Sequence, residues 1–411
     1  MTLRDEQNRA WRRPGDILAS WKEASCVAPA LLHHRTRGDW WDILASTGST
    51  LLVTREYEHL FLALGGARGN PEVSYLGLPH PSGLALDPEA GIVYLAATRN
   101  PNQVLAFRPV ERWLPRSDRR RHGTDQAKGT LLPFRSTFYP GSLYLHDLSL
   151  IGGQLFGSAC GHNAVVALHP DGTFQYRWWP RSIDGTGKPR FDCNYLQCNS
   201  IAAGPALEDS FFSASAERPG RRRPGHSDFP VDRRGVLFSG RTREPMAHGL
   251  TRPHSARIYR GKVWADNSGY GEVGFAEGGR FQAMARLPGW TRGLCFHGTI
   301  AFVGVSRVLP RFRQYAPGLD PERSQCGIFA LDTRDGRVLG SISWPEGNQI
   351  FSVERAPGEM GLRLPFLKGK KENPAKTENL CYRYDPAVPP VPEAKPGPAA
   401  RRGADPIPSN S

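Results

Sequence analysis

The sequence predicts an all-β protein, and three observations lead to that prediction. Glycine and proline are abundant, with Gly 45 and Pro 36 among 411 residues, and both disfavour helix interiors. Hydrophobic residues make up 39% of the chain and charged residues 22%, which is enough apolar content for a large core. Short apolar runs recur between turn residues, as expected of many short strands.

The strands follow a repeated pattern: a polar residue, a small residue, an apolar strand, a turn and a second apolar strand. The pattern begins at Ser82, His146, Asn199, His254, Arg292 and Phe351. Such spacing is typical of four-stranded propeller blades with loop insertions. Only one strand follows the last start, whereas residues 47–66 form two strands without a first one. We therefore predict a single six-bladed β-propeller whose sixth blade is closed by N- and C-terminal strands.

An alternative fold, two β-sandwiches, fits the strand density but not the regular starts. Under the propeller prediction, residues 1–38 form an N-terminal arm and residues 39–365 form the propeller. From 366 to 411 the chain becomes a Pro-rich tail, which we expect to be largely disordered because it cannot build a core.

The net charge of +14 comes from 53 Lys and Arg against 39 Asp and Glu. Much of it lies in two basic insertions, 111–128 and 217–234, which lack strand alternation and are expected to be loops. Nucleic-acid binding is not favoured, because the basic residues are not interleaved with aromatic ones. A protein or acidic partner docking on these loops is the alternative.

The seven cysteines are odd in number and form no CxxC pair, which favours reduced thiols and a cytoplasmic location. No apolar run is long enough to span a membrane, and the N-terminus does not have the features of a secretory signal. We expect a cytoplasmic protein without a membrane partner.

Polar residues at the blade starts are predicted to converge at one mouth of the propeller channel. His146, Asn199 and His254 are in register, and His80 stands two residues before Ser82 on the same strand face. Neutral imidazoles with an oxygen donor suit a divalent metal. These four residues are therefore candidate ligands for zinc, with iron or calcium as alternatives. The competing interpretation is that the histidines are hydrogen-bonded structural residues.

Three further residues are candidates for catalysis. Arg292 is predicted to face the same channel, where it could dock a carboxylate or phosphate; alternatively, it forms a structural salt bridge. Asp147 could orient a metal-bound imidazole or act as a base, or it could be a turn-capping residue. Tyr270 is a candidate at the rim of the channel.

Several segments resemble a bacterial family of conserved hypothetical proteins, the domain of unknown function 4915. They are YLHDLSL (144–150), RPHSARIYRGKVWADNSGYGEVG (252–274), LPGWTRGLCFHGTIAFVGVSRV (287–308) and CGIFALDTRDGRVLGSISWPEGNQIFSVERAPG (326–358). The resemblance covers roughly residues 40–365. It implies a propeller and leaves the activity open.

The chain departs from this family at Gln197-Cys198-Asn199-Ser200, where relatives tend to have His-Leu-Asn-Gly. The layout of axial histidines is also similar to that of peptidyl-hydroxyglycine amidating lyases. A further similarity is to gluconolactonase-type propellers, which hold a divalent ion on the axis.

Two functions follow from these residues. The first is a metal-dependent lyase or hydrolase that acts on a small polar or peptidyl substrate, with Arg292 orienting an anionic group. The second is a non-catalytic scaffold that binds a protein or acidic partner through its face and basic loops.

Overall fold

A computed structural model describes residues 14–99, 102–110, 129–360 and 362–368. The insertion 111–128 and the tail beyond residue 368 lie outside the described residues. Within them, the α-helices are short: α1 is Pro14–Ala24 and α2 is Trp40–Ser46. Most of the remaining ordered backbone is β-strand, which confirms the all-β class.

The strands of the described residues form five sheets. One sheet runs in the order β25-β2-β3-β4-β26 and contains β2 (Ser49–Arg55), β3 (Leu60–Ala67), β4 (Asn70–Gly77), β25 (Ser352–Pro357) and β26 (Phe366–Leu367). The next contains β5 (Pro81–Asp87), β6 (Ile92–Ala97), β7 (Gln103–Val110) and β8 (Thr130–Phe138). A third contains β9 (Leu145–Ile151), β10 (Gln154–Ala159), β11 (Ala164–Leu168) and β12 (Phe174–Trp178).

An eight-stranded sheet follows. Its first half contains β13 (Cys198–Ala202), β14 (Phe211–Ala214), β15 (Gly235–Ser239) and β16 (Pro245–Leu250). Its second half contains β17 (Pro253–Tyr259), β18 (Lys262–Asn267), β19 (Glu272–Glu277) and β20 (Arg280–Arg286). The halves are joined by one parallel pair, His248 with Arg280, between β16 and β20.

The last sheet runs β1-β24-β23-β22-β21. It contains β1 (Arg35–Gly38), β21 (Trp290–His297), β22 (Ile300–Ser306), β23 (Gly327–Asp332) and β24 (Val338–Ser343). Strand β1 belongs to the predicted N-terminal arm, yet it pairs with β24 as an outer strand. Similarly, β26 pairs with β4 beyond the predicted end of the propeller.

The sheets are arranged around an axis. Strand β5 contacts β9, β9 contacts β13, and β13 contacts β17; the series continues through β21 and β25 and returns to β5. The predicted closure by the two ends of the chain is observed, because β25 pairs antiparallel with β2 along Ser49–Thr54. The arrangement is propeller-like, and the closure leaves β2 without an exposed edge.

Apolar side chains fill the space between neighbouring sheets. Leu52 and Phe61 pack with Phe107 of the next sheet, and Trp40 of α2 packs with Phe302 and Trp344. Trp40 and Trp344 are almost completely buried. Among the described residues, no helix is both long enough and apolar enough to cross a membrane.

Candidate functional site

A pocket lies at the axis, beside the starts of the inner strands. Its volume is about 690 Å³ including its open mouth. The lining residues come from the starts of inner strands and from loops beside them: Glu56, Tyr57, Tyr144, His146, Gln197, Arg252, His254, Trp290, Arg292, Ser306, Arg307, Leu309, Phe312, Asn348, Gln349 and Phe351. The pocket therefore collects the predicted His146, His254 and Arg292.

A second set of lining residues comes from the positions two residues before the predicted His146, Asn199 and His254 in the sequence. Tyr144, Gln197 and Arg252 precede the inner strands β9, β13 and β17, and their φ angles are +53°, +55° and +54°. This left-handed region normally favours glycine. Side chains held there at some cost in backbone energy are a recurrent property of binding sites.

The charges in the pocket are unbalanced. Arg252, Arg292 and Arg307 line it, with Glu56 as the carboxylate among the lining residues. Glu56 Oε1 already accepts hydrogen bonds from Thr98 Oγ1 at 2.8 Å and from Arg99 Nε at 3.0 Å. The pocket consequently favours an anion.

Arg292 is 9% exposed, and its guanidinium carbon lies 3.3 Å from the centre of the Phe351 ring. Its Nη2 is 3.4 Å from His146 Nδ1. Burial lowers the pKa of Arg292 from its ordinary value. No carboxylate among the described residues forms an ion pair with this guanidinium.

Arg252 is held by the neighbouring loop. Its Nη1 donates to Gln197 Oε1 and to the Pro224 carbonyl oxygen at 3.0 Å, and its guanidinium stacks on Tyr315. Burial lowers the pKa of Arg252 to about 10. The guanidinium remains charged at neutral pH.

The two histidines of the pocket are buried and neutral. His146 and His254 are 7% and 4% exposed, and their ring centres are 6.5 Å apart with planes inclined by 15°. Burial lowers the pKa of both well below the ordinary value, and the positive charge of Arg292 lowers them further. In a neutral imidazole one nitrogen can accept a proton and the other donates an N–H hydrogen bond.

The hydrogen bonds of the two rings differ. His254 Nδ1 lies 3.0 Å from the Arg252 carbonyl oxygen and 3.0 Å from Ser268 Oγ. His146 Nδ1 faces the Arg292 guanidinium, whereas its Nε2 is buried without a hydrogen-bond partner in the described structure.

Two predicted ligands lie outside this pocket. His80 packs against His59, with ring centres 4.4 Å apart, and its Nδ1 is 3.7 Å from Glu56 Oε1. Asn199 Nδ2 donates to the Pro253 carbonyl oxygen at 2.9 Å, which ties β13 to β17. Asn199 lies in β13, as predicted, whereas His80 precedes β5 with a φ of +44° and is therefore not on the predicted strand face. Neither residue is among those lining the pocket.

Asp147 and Tyr270 also lie elsewhere. Asp147 Oδ2 is 3.0 Å from Arg257 Nη1 and accepts the Ile201 amide, so its carboxylate joins strands rather than orienting an imidazole. Tyr270 donates its hydroxyl to Asp232 Oδ1 at 2.9 Å. These contacts give both residues structural partners.

The predicted metal ligands do not fit a divalent ion. Within the described part of the chain, no three His, Cys, Asp or Glu side chains come together closely enough to hold a metal. Only His146 and His254 of the predicted set share the pocket, and the Arg292 guanidinium occupies the Nδ1 side of His146. Because this cation would repel a metal, we assign no step to one.

Residue-level prediction missed much of the pocket. Gln197, Arg252, Trp290 and Gln349 occupy the same offset that suggested His80, so the repeat contained a signal for them. Arg307 and Asn348 come from loops without a periodic pattern, and nothing in the sequence marked them.

The fold and the pocket define a propeller-like protein with an axial, arginine-rich site. The model of a family described as a domain of unknown function, DUF4915, matches residues 38–362. The chain belongs to this family, which confirms the resemblance inferred from the sequence. No curated protein matches the chain.

Several solved structures are similar to the chain at low identity. A chain in the crystal structure of a nidogen–laminin complex is 11% identical with a TM-score of 0.49; the match covers 75% of this chain and 98% of that one. A protein of unknown function from Bacteroides caccae is 10% identical, with the same coverages and a TM-score of 0.47. A gluconolactonase from Xanthomonas campestris is 15% identical, with coverages of 65% and 77% and a TM-score of 0.40.

Proposed function

We propose that this protein is an enzyme of the lyase or hydrolase type that binds a small anionic substrate in the axial pocket. The observation that carries the proposal is the presence of a buried guanidinium and two neutral imidazoles in one pocket. Arg292 would hold the anion, and the imidazoles would move a proton. The fold contributes by bringing together residues far apart in sequence.

The unpaired charge of Arg292 supports an anionic ligand. A buried charge without a partner is costly, and a guanidinium offers five N–H donors in a planar fork. The Arg292 contact to His146 Nδ1 uses one of them at the long distance of 3.4 Å. A carboxylate or phosphate would compensate the charge and could accept two parallel hydrogen bonds.

The pocket's other residues support a small polar or peptidyl substrate. Tyr57 and Phe312 stack with their planes inclined by only 7°, and Trp290 lies beside His254. Gln197 and Gln349 add amide groups that can donate or accept hydrogen bonds. Small-molecule sites typically combine aromatic side chains with a small number of precisely placed polar groups.

We also propose that the eight-stranded sheet represents two blades, which gives a six-bladed propeller. The single bridge between His248 and Arg280 supports this count, because it alone joins two four-stranded antiparallel halves. Each half contributes one strand to the inner ring, β13 and β17 respectively.

Ligand binding tests the proposal. Thermal unfolding with a panel of small carboxylates and phosphates should reveal a stabilising anion, since ligands that bind only the folded state raise stability. Calorimetry should then show that Arg292→Gln weakens the binding of that anion by about 10-fold or more, which corresponds to ~1.4 kcal/mol. Arg313→Gln, at an exposed site, is the matched control. No stabilising anion, or equal binding by both variants, would overturn the proposal.

The scaffold function rests on a different observation. The loop 217–234 forms a groove lined by Arg218, Arg221, Arg222, Arg233 and Arg234. Such a groove suits an acidic protein segment. Deleting this loop should abolish capture of an acidic peptide, whereas Arg292→Gln should leave capture intact. Capture that survives the deletion but is lost in Arg292→Gln excludes the scaffold function.

A further inference from the structure

The tautomer of His254 follows from its partners. The Arg252 carbonyl oxygen can only accept a hydrogen bond, and it lies 3.0 Å from Nδ1. Ser268 Oγ, the second neighbour of Nδ1, donates its own proton to the Thr291 carbonyl oxygen at 2.6 Å. Nδ1 must therefore carry the hydrogen, so in the neutral ring Nε2 holds a lone pair.

His146 has the opposite tautomer. A guanidinium has donors and no acceptor, so His146 Nδ1 accepts the contact from Arg292 Nη2. In the neutral ring the hydrogen is consequently on Nε2, and this N–H is buried without an acceptor among the described residues. An unsatisfied buried donor is costly, and an oxygen of a bound ligand would satisfy it.

Arg292, His146 and His254 line the same pocket, so one bound molecule can contact all three. The guanidinium of Arg292 contacts the imidazole ring of His146. If Arg292 binds the carboxylate of a ligand, the ligand carbon next to that carboxylate would therefore lie close to the His146 ring. An oxygen on this carbon could then accept the His146 Nε2 hydrogen. The parallel ring of His254 faces the same space, 6.5 Å away between ring centres.

We infer that His254 Nε2 is the general base and His146 Nε2–H the oxyanion donor for a 2-oxo carboxylate or a related acid with a C–H bond next to a carbonyl. This inference rests on the proposed function and specifies its substrate class. In the step, His254 Nε2 takes the proton from the carbon beside the carbonyl. The C–H electron pair forms the enolate double bond, and the carbonyl π pair moves onto the oxygen that accepts from His146. Return of the proton completes an exchange without any co-reactant.

Two further residues position His254. Ser268 and the Arg252 carbonyl hold Nδ1–H of His254, and thereby keep its lone pair on Nε2. Replacement of Ser268 by alanine removes one of the two acceptors. We expect this substitution to leave the binding of pyruvate, a 2-oxo carboxylate, unchanged. It should lower the rate at which the protons beside the carbonyl exchange, because the imidazole is less firmly oriented.

Pyruvate in D₂O is the probe for the step. Proton NMR should show loss of the methyl signal faster with the protein than in buffer alone. His254→Gln should slow this exchange about 100-fold or more, as expected for loss of a general base, and His146→Gln about 10-fold or more. His248→Gln, at a half-exposed site away from the pocket, is the matched control and should exchange at the unchanged rate.

A second measurement reads the tautomers directly. Two-bond proton–nitrogen correlation spectra of histidine-labelled protein should show Nδ1 protonated in His254 and Nε2 protonated in His146, with the two variants providing the assignments. The reverse tautomers would overturn the inference, as would undiminished exchange in His254→Gln. Pyruvate binding that depends on Arg292 without any exchange also overturns it, yet leaves the proposed function standing. If neither a small carboxylate nor a phosphate binds, the proposed function itself fails.

Discussion

Replacement of Asp147 by alanine is expected to destabilise the fold severely, because its carboxylate lies in a buried ionic network. Asp147 Oδ2 pairs with Arg257 Nη1 at 3.0 Å, and Arg257 Nη2 pairs with Glu354. The Asp147 and Arg257 side chains are only 7% and 16% exposed. The same carboxylate accepts the amide hydrogens of Leu148 and Ile201 at 3.1 and 3.0 Å.

The magnitude follows from what Asp147→Ala leaves behind. Arg257 retains one carboxylate partner, and the Leu148 and Ile201 amides lose their acceptor. Removal of one partner from a buried pair costs about 3–5 kcal/mol, and the amide hydrogen bonds belong to the same perturbation rather than adding in full. A loss of ~4 kcal/mol would be a large part of a typical domain's stability of about 5–15 kcal/mol.

Urea unfolding followed by tryptophan fluorescence measures this loss as a fall in the transition midpoint. Arg313→Ala is the control, because the Arg313–Glu322 pair is even closer, at 2.6 Å, but exposed. That variant should lose less than about 1 kcal/mol. A loss below ~1 kcal/mol in Asp147→Ala would refute the assignment of a stabilising role to the network.

Four other outcomes are expected. Burial raises the pKa of Asp266 well above its ordinary value, so the folded state binds more protons there than the unfolded state. The free energy of unfolding should therefore fall by up to about 1.4 kcal/mol per pH unit from near pH 4 upwards to the raised pKa. Urea titrations at several pH values should show that Asp266→Asn removes this slope. Arg292→Gln should raise the pKa of His146 in an NMR titration, although burial should still keep it below the ordinary value; an unchanged pKa would contradict the contact. Val353→Asp should prevent folding, because Val353 is fully buried where β25 closes on β2, whereas Arg355→Asp on the same strand should remain folded by circular dichroism. Chelator dialysis should leave thermal unfolding unchanged, and a drop in the midpoint that zinc restores would revive the metal prediction.

The arrangement of sheets could be predicted because it depends on periodicity. The two strands at 47–66 had no inner strand before them, and the strand near 351 had no outer strands after it. Pairing β25 with β2 completes one sheet and leaves neither strand with an exposed edge at this junction. The repeat also indicated which residues begin the inner strands. It could not indicate that β1 and β26 add outer strands, because those segments are short and lack apolar alternation.

The pocket was only partly predictable. His80 follows the same offset as Tyr144, Gln197 and Arg252, but its ring packs on His59, a neighbour that lies in a turn outside the repeat. The left-handed backbone at these positions carries no sequence signal when the residue is not glycine. Arg252 is oriented by the Pro224 carbonyl of a loop, and such long-range contacts are invisible to register arguments.

Strand alternation explains why Asp147 is not a site residue, and it separates stability from function in this protein. Successive side chains of a strand point in opposite directions, so His146 lines the pocket while Asp147 contacts Ile201 of β13 and Arg257 of β17. One dipeptide of β9 thus contributes a buried imidazole to the pocket and a carboxylate to the network around Arg257. Substitution of His146 should therefore change ligand chemistry with little change in the urea midpoint. Substitution of Asp147 should lower the midpoint, while the fraction that remains folded retains its affinity for the anion.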